Sequence, residues 1–212
     1  VNATARAALT WVAVVAALVG LLTVLGGDPG HTPGVMTDTL GPDRDEPAAA
    51  YLERARATLD GHGDGDPAAA DDAPRWALVS PAAPWAPREA SEAVAPAPRV
   101  GQVLAWAPEA AAEFPPVALA VPEPAASGPV DTGAGDRERT AVFATALDRA
   151  RDSAGGRGGP RVLVGLVVRA DPATLRALAA RPGVRAVEAL PPDAVAGRFP
   201  VRALLPDGAP AR

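Results

Sequence analysis

Residues 161–190, RVLVGLVVRADPATLRALAARPGVRAVEAL, carry the pattern on which the fold turns. The run RVLVGLVVR (161–169) is rich in β-branched residues and reads as a buried strand. Asp171 can accept the free N–H groups of a following helix, and Pro172 suits that helix's first position. Leu175, Leu178 and Ala179 then share one face. Arg181-Pro182-Gly183 ends the helix, and VRAVEAL (184–190) returns as a second strand.

A poorer version of the same unit lies upstream. RWALVS (75–80) reads as a strand, PREASEAVA (87–95) as a helix opening on Pro87, and RVGQVLAWA (99–107) as a strand. The interval from Pro87 to Val100 is 13 residues and that from Pro172 to Val184 is 12. Ala86 is no cap, and the first helix offers only Ala90, Ala93 and Val94 to a core. We read the pair as a degenerate duplication, which predicts an α+β, ferredoxin-like domain built from two βαβ units. The stretch between them, 108–160, is a helical insertion. In it PPVALAVPEP (115–124) is extended, and GDRERTAVFATALDRARDSA (135–154) is a helix presenting Val142, Phe143, Ala146, Leu147 and Ala150 on one face. RFPVRAL (198–204) alternates, with a proline that suits an edge strand. The domain is expected over 75–206, with a tail at 207–212.

Toward the N-terminus, AALTWVAVVAALVGLLTVLGG (7–27) is 21 residues without a charge. A helix of that length spans ~30 Å, the thickness of a bilayer's hydrocarbon core. The apolar run exceeds that of a cleaved signal peptide. A transmembrane helix over 7–27 is therefore expected, with Arg6 placing residues 1–6 in the cytoplasm and the rest outside. Residues 28–74 read as an acidic linker holding one helix (46–60), whose Tyr51, Leu52, Ala55 and Leu59 share a face.

The residue inventory limits the chemistry. All 20 basic residues are arginine, in keeping with a GC-rich bacterial genome, and cysteine is absent. The two histidines, His31 and His62, fall in the linker. Nucleophile–base pairs cannot be assembled in the folded part from these, and Ser80, Ser91, Ser127 and Ser153 have no adjacent base. Glu188, flanked by Val187 and Ala189, reads as a solvent-facing strand residue rather than a general acid. A non-enzyme without cofactor or small-molecule substrate is expected. DGHGDGDPAAAD (60–71) offers a calcium-loop candidate in Asp60, Asp64, Asp66 and Asp71. His62 at its third position and Pro67 at its eighth favour an acidic hinge instead.

Charge is divided unevenly. Residues 28–74 hold eleven acids and three arginines, whereas 136–212 hold thirteen arginines and eight acids. A basic face of Arg169, Arg176, Arg181, Arg185, Arg198 and Arg202 is the candidate partner-binding surface, toward anionic lipid, a wall polymer or another envelope protein. The acidic overall balance and few stacking aromatics disfavour nucleic acid.

PGVRAVE (182–188) resembles the return strand of the propeptide family of subtilisin-like proteases. That resemblance implies a ferredoxin-like fold and an inhibitory role toward a protease. The layout as a whole resembles the single-pass membrane proteins of actinobacteria. Together these readings predict a membrane-anchored, non-catalytic interaction or scaffold module of the cell envelope, or alternatively a propeptide-like inhibitor of an extracytoplasmic protease.

Overall fold

The structure, a computed structural model, describes residues 38–60, 72–122, 133–159 and 161–206. The β-branched run forms the middle of a sheet because an uninterrupted apolar strand is stable only where both of its faces are covered. Among the described residues that sheet has five strands: β1 (Arg75–Pro81), β2 (Arg99–Trp106), β3 (Val117–Ala120), β4 (Val162–Ala170) and β5 (Val184–Ala189). Their order is β3-β2-β4-β1-β5, and every neighbouring pair is antiparallel. Leu78 of β1 lies opposite Val167 of β4, and Val103 of β2 lies opposite Leu166. A register shift leaves Val164 as an extra residue in β4. Leu163, Leu166 and Val168 consequently share one face, while Val164 and Val167 occupy the other.

Among the described residues the α-helices are α1 (Ala48–Leu59), α2 (Pro87–Ala93), α3 (Gly133–Ser153) and α4 (Pro172–Ala179). The last three supply the cover of one sheet face, where Phe143, Leu175 and Leu178 pack on Val79, Val103 and Leu166. Burying each such leucine or phenylalanine contributes roughly 1.5–3 kcal/mol, far more than the alanines around them. The other face carries Trp76, Leu78, Leu104, Trp106, Val164 and Val167 beneath Leu40, Leu190, Ala194 and Phe199. Beside that cluster, Tyr51 and Ala55 of α1 pack on Ala186 and Leu204. Helix α1 also closes the free edge of β5, where Ala189 N–H donates to Thr58 Oγ1 at 2.9 Å.

Three expectations are corrected. First, the insertion between the two strand–helix–strand units adds a strand as well as a helix. Its PPVALAVPEP stretch contributes β3 at the edge, and the architecture is an α+β domain on a five-stranded antiparallel sheet. Second, RFPVRAL is no edge strand. Phe199 sits over the sheet against Trp76, with ring centroids 6.3 Å apart, and among the described residues the segment's ladder contact is a parallel bridge from Val201 to Leu40. Third, among the described residues no helix is long and apolar enough to cross a membrane. The longest, α3, carries Arg137, Glu138, Arg139, Asp148, Arg149 and Arg151. The segment 7–27 lies outside the described residues. The expected transmembrane helix, the single-pass topology with a cytoplasmic N-terminus, and the membrane as partner therefore lack a structural basis.

Candidate functional site

Two loops meet at one end of the sheet. The first, Ala82–Ala83–Pro84–Trp85–Ala86, leaves β1 and enters α2 at Pro87; the second, Arg181–Pro182–Gly183, leaves α4 and enters β5. Trp85 is held in place by its backbone, which exchanges hydrogen bonds with Leu163 in both directions at 2.9 and 3.0 Å. Gly183 makes the second turn in a positive-φ conformation (φ 82°) that other residues rarely adopt. Its carbonyl accepts from Ala82 N–H at 2.9 Å, and Arg181 Nη2 donates to the Glu92 carbonyl at 2.9 Å. These two bonds tie the loops to each other and to α2.

Between them runs an open groove of about 480 Å³. Its floor includes Pro84, Trp85 and Ala93, and Glu89, Glu92 and Arg181 stand around it. Trp85 is only 7% exposed, whereas Glu89 and Glu92 are exposed one helical turn apart. Each carboxylate has one oxygen engaged: Glu89 Oε2 accepts from Ala86 N–H at 2.8 Å, and Glu92 Oε1 from Arg88 Nε at 2.7 Å. Glu89 thus does the capping that Ala86 cannot. An apolar floor with a few convergent polar groups and prolines in its walls is the form that ligand sites take.

A second polar cluster lies on the opposite sheet face. Glu188 is 2% exposed and faces α1, not solvent, which overturns the reading of it as a surface residue. Its Oε2 accepts from Gly41 N–H and from Tyr51 Oη, and its Oε1 from Arg54 Nη1. Arg54 further bonds Glu46 at 2.9–3.0 Å and the Gly41 carbonyl at 3.1 Å. Burial pushes the Glu188 carboxyl up, against the pull of these donors. The Arg54 guanidinium holds Glu46 below the usual carboxylate range, and burial beside Glu188 raises the Tyr51 hydroxyl. With every oxygen occupied, this cluster fastens residues 40–54 to the sheet and has no free group for chemistry.

Of the six arginines expected to form one basic face, five have attachments of their own. Arg169 lies over the Trp76 ring, 6.0 Å from its centroid. Arg176 donates to the Leu59 carbonyl (3.1 Å), Arg181 to that of Glu92, and Arg185 to that of Leu205 (3.1 Å). Arg202 reaches Asp43 Oδ1 at 3.4 Å, and Arg198 is exposed. Of the calcium-loop candidates, Asp60 follows α1, while Asp64, Asp66 and Asp71 lie outside the described residues, as do both histidines. Among the described residues no three His, Cys, Asp or Glu side chains are grouped to hold a metal. The sequence reading passed over Trp85, Glu89 and Glu92. The visible signal was a tryptophan set between prolines in SPAAPWAP (80–87).

No protein-family model matches the chain, and no curated protein or solved structure matches it. The resemblances to the subtilisin-propeptide family and to actinobacterial membrane proteins are corrected accordingly, and the ferredoxin-like, envelope-scaffold and protease-inhibitor expectations lose their support with them. PGVRAVE is explained locally: Gly183 supplies the positive-φ turn, and Val187 packs in the core beneath the helices.

Proposed function

We propose that the domain is a non-catalytic binding module whose ligand is a short extended peptide bearing a cationic side chain, held in the groove beside Trp85. The observation that carries this reading is the pairing of an apolar floor with two exposed carboxylates, Glu89 and Glu92, in walls already tied together. Tied walls reduce the ordering cost of binding. The carboxylates give a guanidinium or ammonium group a charged partner, while the floor takes an adjacent apolar side chain. The lining residues include no Ser, Thr, Cys, His or Lys, and the two carboxylates are assigned to binding a cation.

Titrating acetyl-Leu-Arg-amide into the full chain, followed by amide NMR shifts, tests the reading. Saturable shifts confined to residues 82–93 and 181–183, weakened at least threefold by Glu92→Gln and absent with acetyl-Leu-Glu-amide, are the expected result. Shifts that are absent, or equal for both peptides, would refute it.

A further inference from the structure

Strand β3 forms one border of the sheet, and its backbone geometry specifies what can pair with it. Val121 N–H donates to the Gly101 carbonyl of β2 at 2.9 Å, and the register continues through Leu119 opposite Val103 and Val117 opposite Ala105. In an antiparallel ladder, alternate residues turn their N–H and C=O groups to opposite sides. Val117, Leu119 and Val121 therefore bond toward β2, and Ala118 and Ala120 direct both backbone groups away from the sheet. Ala118 and Ala120 are exposed, Val117 is 40% exposed, and the strand carries no charge. Edges of this kind are normally blunted by lysine, bulges or proline. Here Pro116 and Pro122 occupy the next outward positions and lack an N–H, so the outward donors are confined to the two alanines between them.

We propose that two copies of the chain associate through antiparallel pairing of β3 with β3 about Leu119. In that register Ala118 of each copy donates to and accepts from Ala120 of the other, so every outward N–H in the strand finds a carbonyl. Displacing the pairing by two residues bonds the same four donors but sends two of them to the carbonyls of Pro116 or Pro122, which lie outside the strand, whereas the register about Leu119 keeps all four bonds between residues of β3. The arrangement is isologous and closed. It joins the two sheets and cannot propagate, because the far edge, β5, is already covered by α1 through Thr58. The small side chains of Ala118 and Ala120 leave that sheet face flat where the two strands meet.

Absence of cysteine from the chain makes the test direct. Across the symmetry axis Leu119 faces its own copy as a non-hydrogen-bonded pair, with Cα atoms about 4.5 Å apart, within the span a disulfide accepts. Val117 faces position 121 instead and lies far from its own copy. Full-length Leu119→Cys is therefore expected to form a covalent dimer under mild oxidation at least tenfold faster than Val117→Cys, although Val117 is the more exposed position. Adding Ala118→Pro to Leu119→Cys removes an outward donor without touching a bond to β2, and is expected to slow the crosslink to the Val117→Cys rate. Equal rates for the two cysteines would overturn the register and with it the proposal. So would a fast Leu119→Cys crosslink that Ala118→Pro leaves unchanged in a chain with native circular dichroism.

Discussion

Tyr51 of α1 donates its hydroxyl to Glu188 of β5 at 3.1 Å, across 137 residues of sequence. The same carboxylate takes the Gly41 N–H and the Arg54 guanidinium, so three donors from an N-terminal segment converge on one strand residue. Each donor alone would be a modest contact. Together they let a carboxylate sit in an otherwise apolar layer beside Leu78, its cross-strand partner.

Removing the acceptor should therefore cost more than removing any one donor. Glu188→Ala leaves the buried Tyr51 hydroxyl and Gly41 N–H without a partner, which is expected to destabilise the fold by about 2–4 kcal/mol. Arg54→Ala should cost less, about 1 kcal/mol, because its side chain is 39% exposed and solvent screens its contribution. Urea denaturation of both variants checks the order. An Arg54→Ala loss equal to that of Glu188→Ala would mean that the ion pair, not the carboxylate's burial, dominates.

The same group gives the fold a pH dependence of defined sign. Burial raises Glu188 above its ordinary value, so the folded chain keeps this proton to higher pH than the unfolded chain does. Its stabilising contribution is then greatest in acid, below the unfolded value, and declines as the pH rises through the folded one. Glu188→Gln is neutral throughout. The stability advantage of the native chain over Glu188→Gln is expected to be larger at about pH 4 than at about pH 8, as measured by urea midpoints. A difference that grows with pH would mean that the three donors outweigh burial.

How much of this was legible follows from the range of the interactions. The helix Pro172–Ala179 was readable because its cap, its proline and its apolar face are all local. The strand Val162–Ala170 was readable because β-branched residues repeat without interruption. Glu188 was not. Alternation puts it opposite Val187, and only the return of residues 40–54, far away in sequence, turns that second face from solvent into core. Arg139 is hidden from the sequence for a similar reason: it sits among the charges of α3, yet it is 2% exposed. The groove at Trp85 needed two loops almost a hundred residues apart, and neither carries a pattern of its own.

The local cap provides a cleaner test of sequence-level reasoning. Asp171 Oδ1 accepts from Thr174 N–H and Oδ2 from the Thr174 hydroxyl, both at 2.8 Å. Asp171→Ala is expected to cost about 1 kcal/mol, and Asp171→Asn only a fraction of that. These bonds hold the Asp171 carboxyl below its usual range. The ionised cap therefore stabilises the fold above the unfolded value and loses that effect as the pH falls through the folded one. The gap between native and Asp171→Ala chains should narrow in acid, the reverse of the Glu188 trend, in parallel urea titrations.

Gly101 is needed for space. A Cβ there would stand 2.7 Å from Trp76 Cζ3 and 2.9 Å from Cη2. The ring cannot simply withdraw, since it packs on Phe199 and lies beneath the Arg99 and Arg169 guanidiniums. Gly101→Ala is expected to destabilise by about 1–3 kcal/mol through overpacking. In a Trp76→Leu background the same substitution should cost less than half as much, because the obstructing ring is gone. Equal costs in the two backgrounds would locate the strain in the β2 backbone instead.

Arg139 joins α3 to the turn that follows α2, and the nature of its contacts predicts which replacement can serve. Its Nη1 donates to the Val94 carbonyl at 3.2 Å and its Nη2 to the Ala97 carbonyl at 3.1 Å. Val94 stands at the C-terminal end of α2, where carbonyls lack helical partners and a cation is favoured. Arg139→Met keeps much of the apolar stem but leaves those carbonyls without the guanidinium, for an expected loss of about 2–4 kcal/mol. Lysine retains the charge as a point and lacks the planar fork that spans two acceptors. Arg139→Lys should therefore recover less than half of the loss seen with methionine, read from urea denaturation at neutral pH. Full recovery by lysine would show that charge alone, without the two-pronged geometry, holds α3 against the α2–β2 turn.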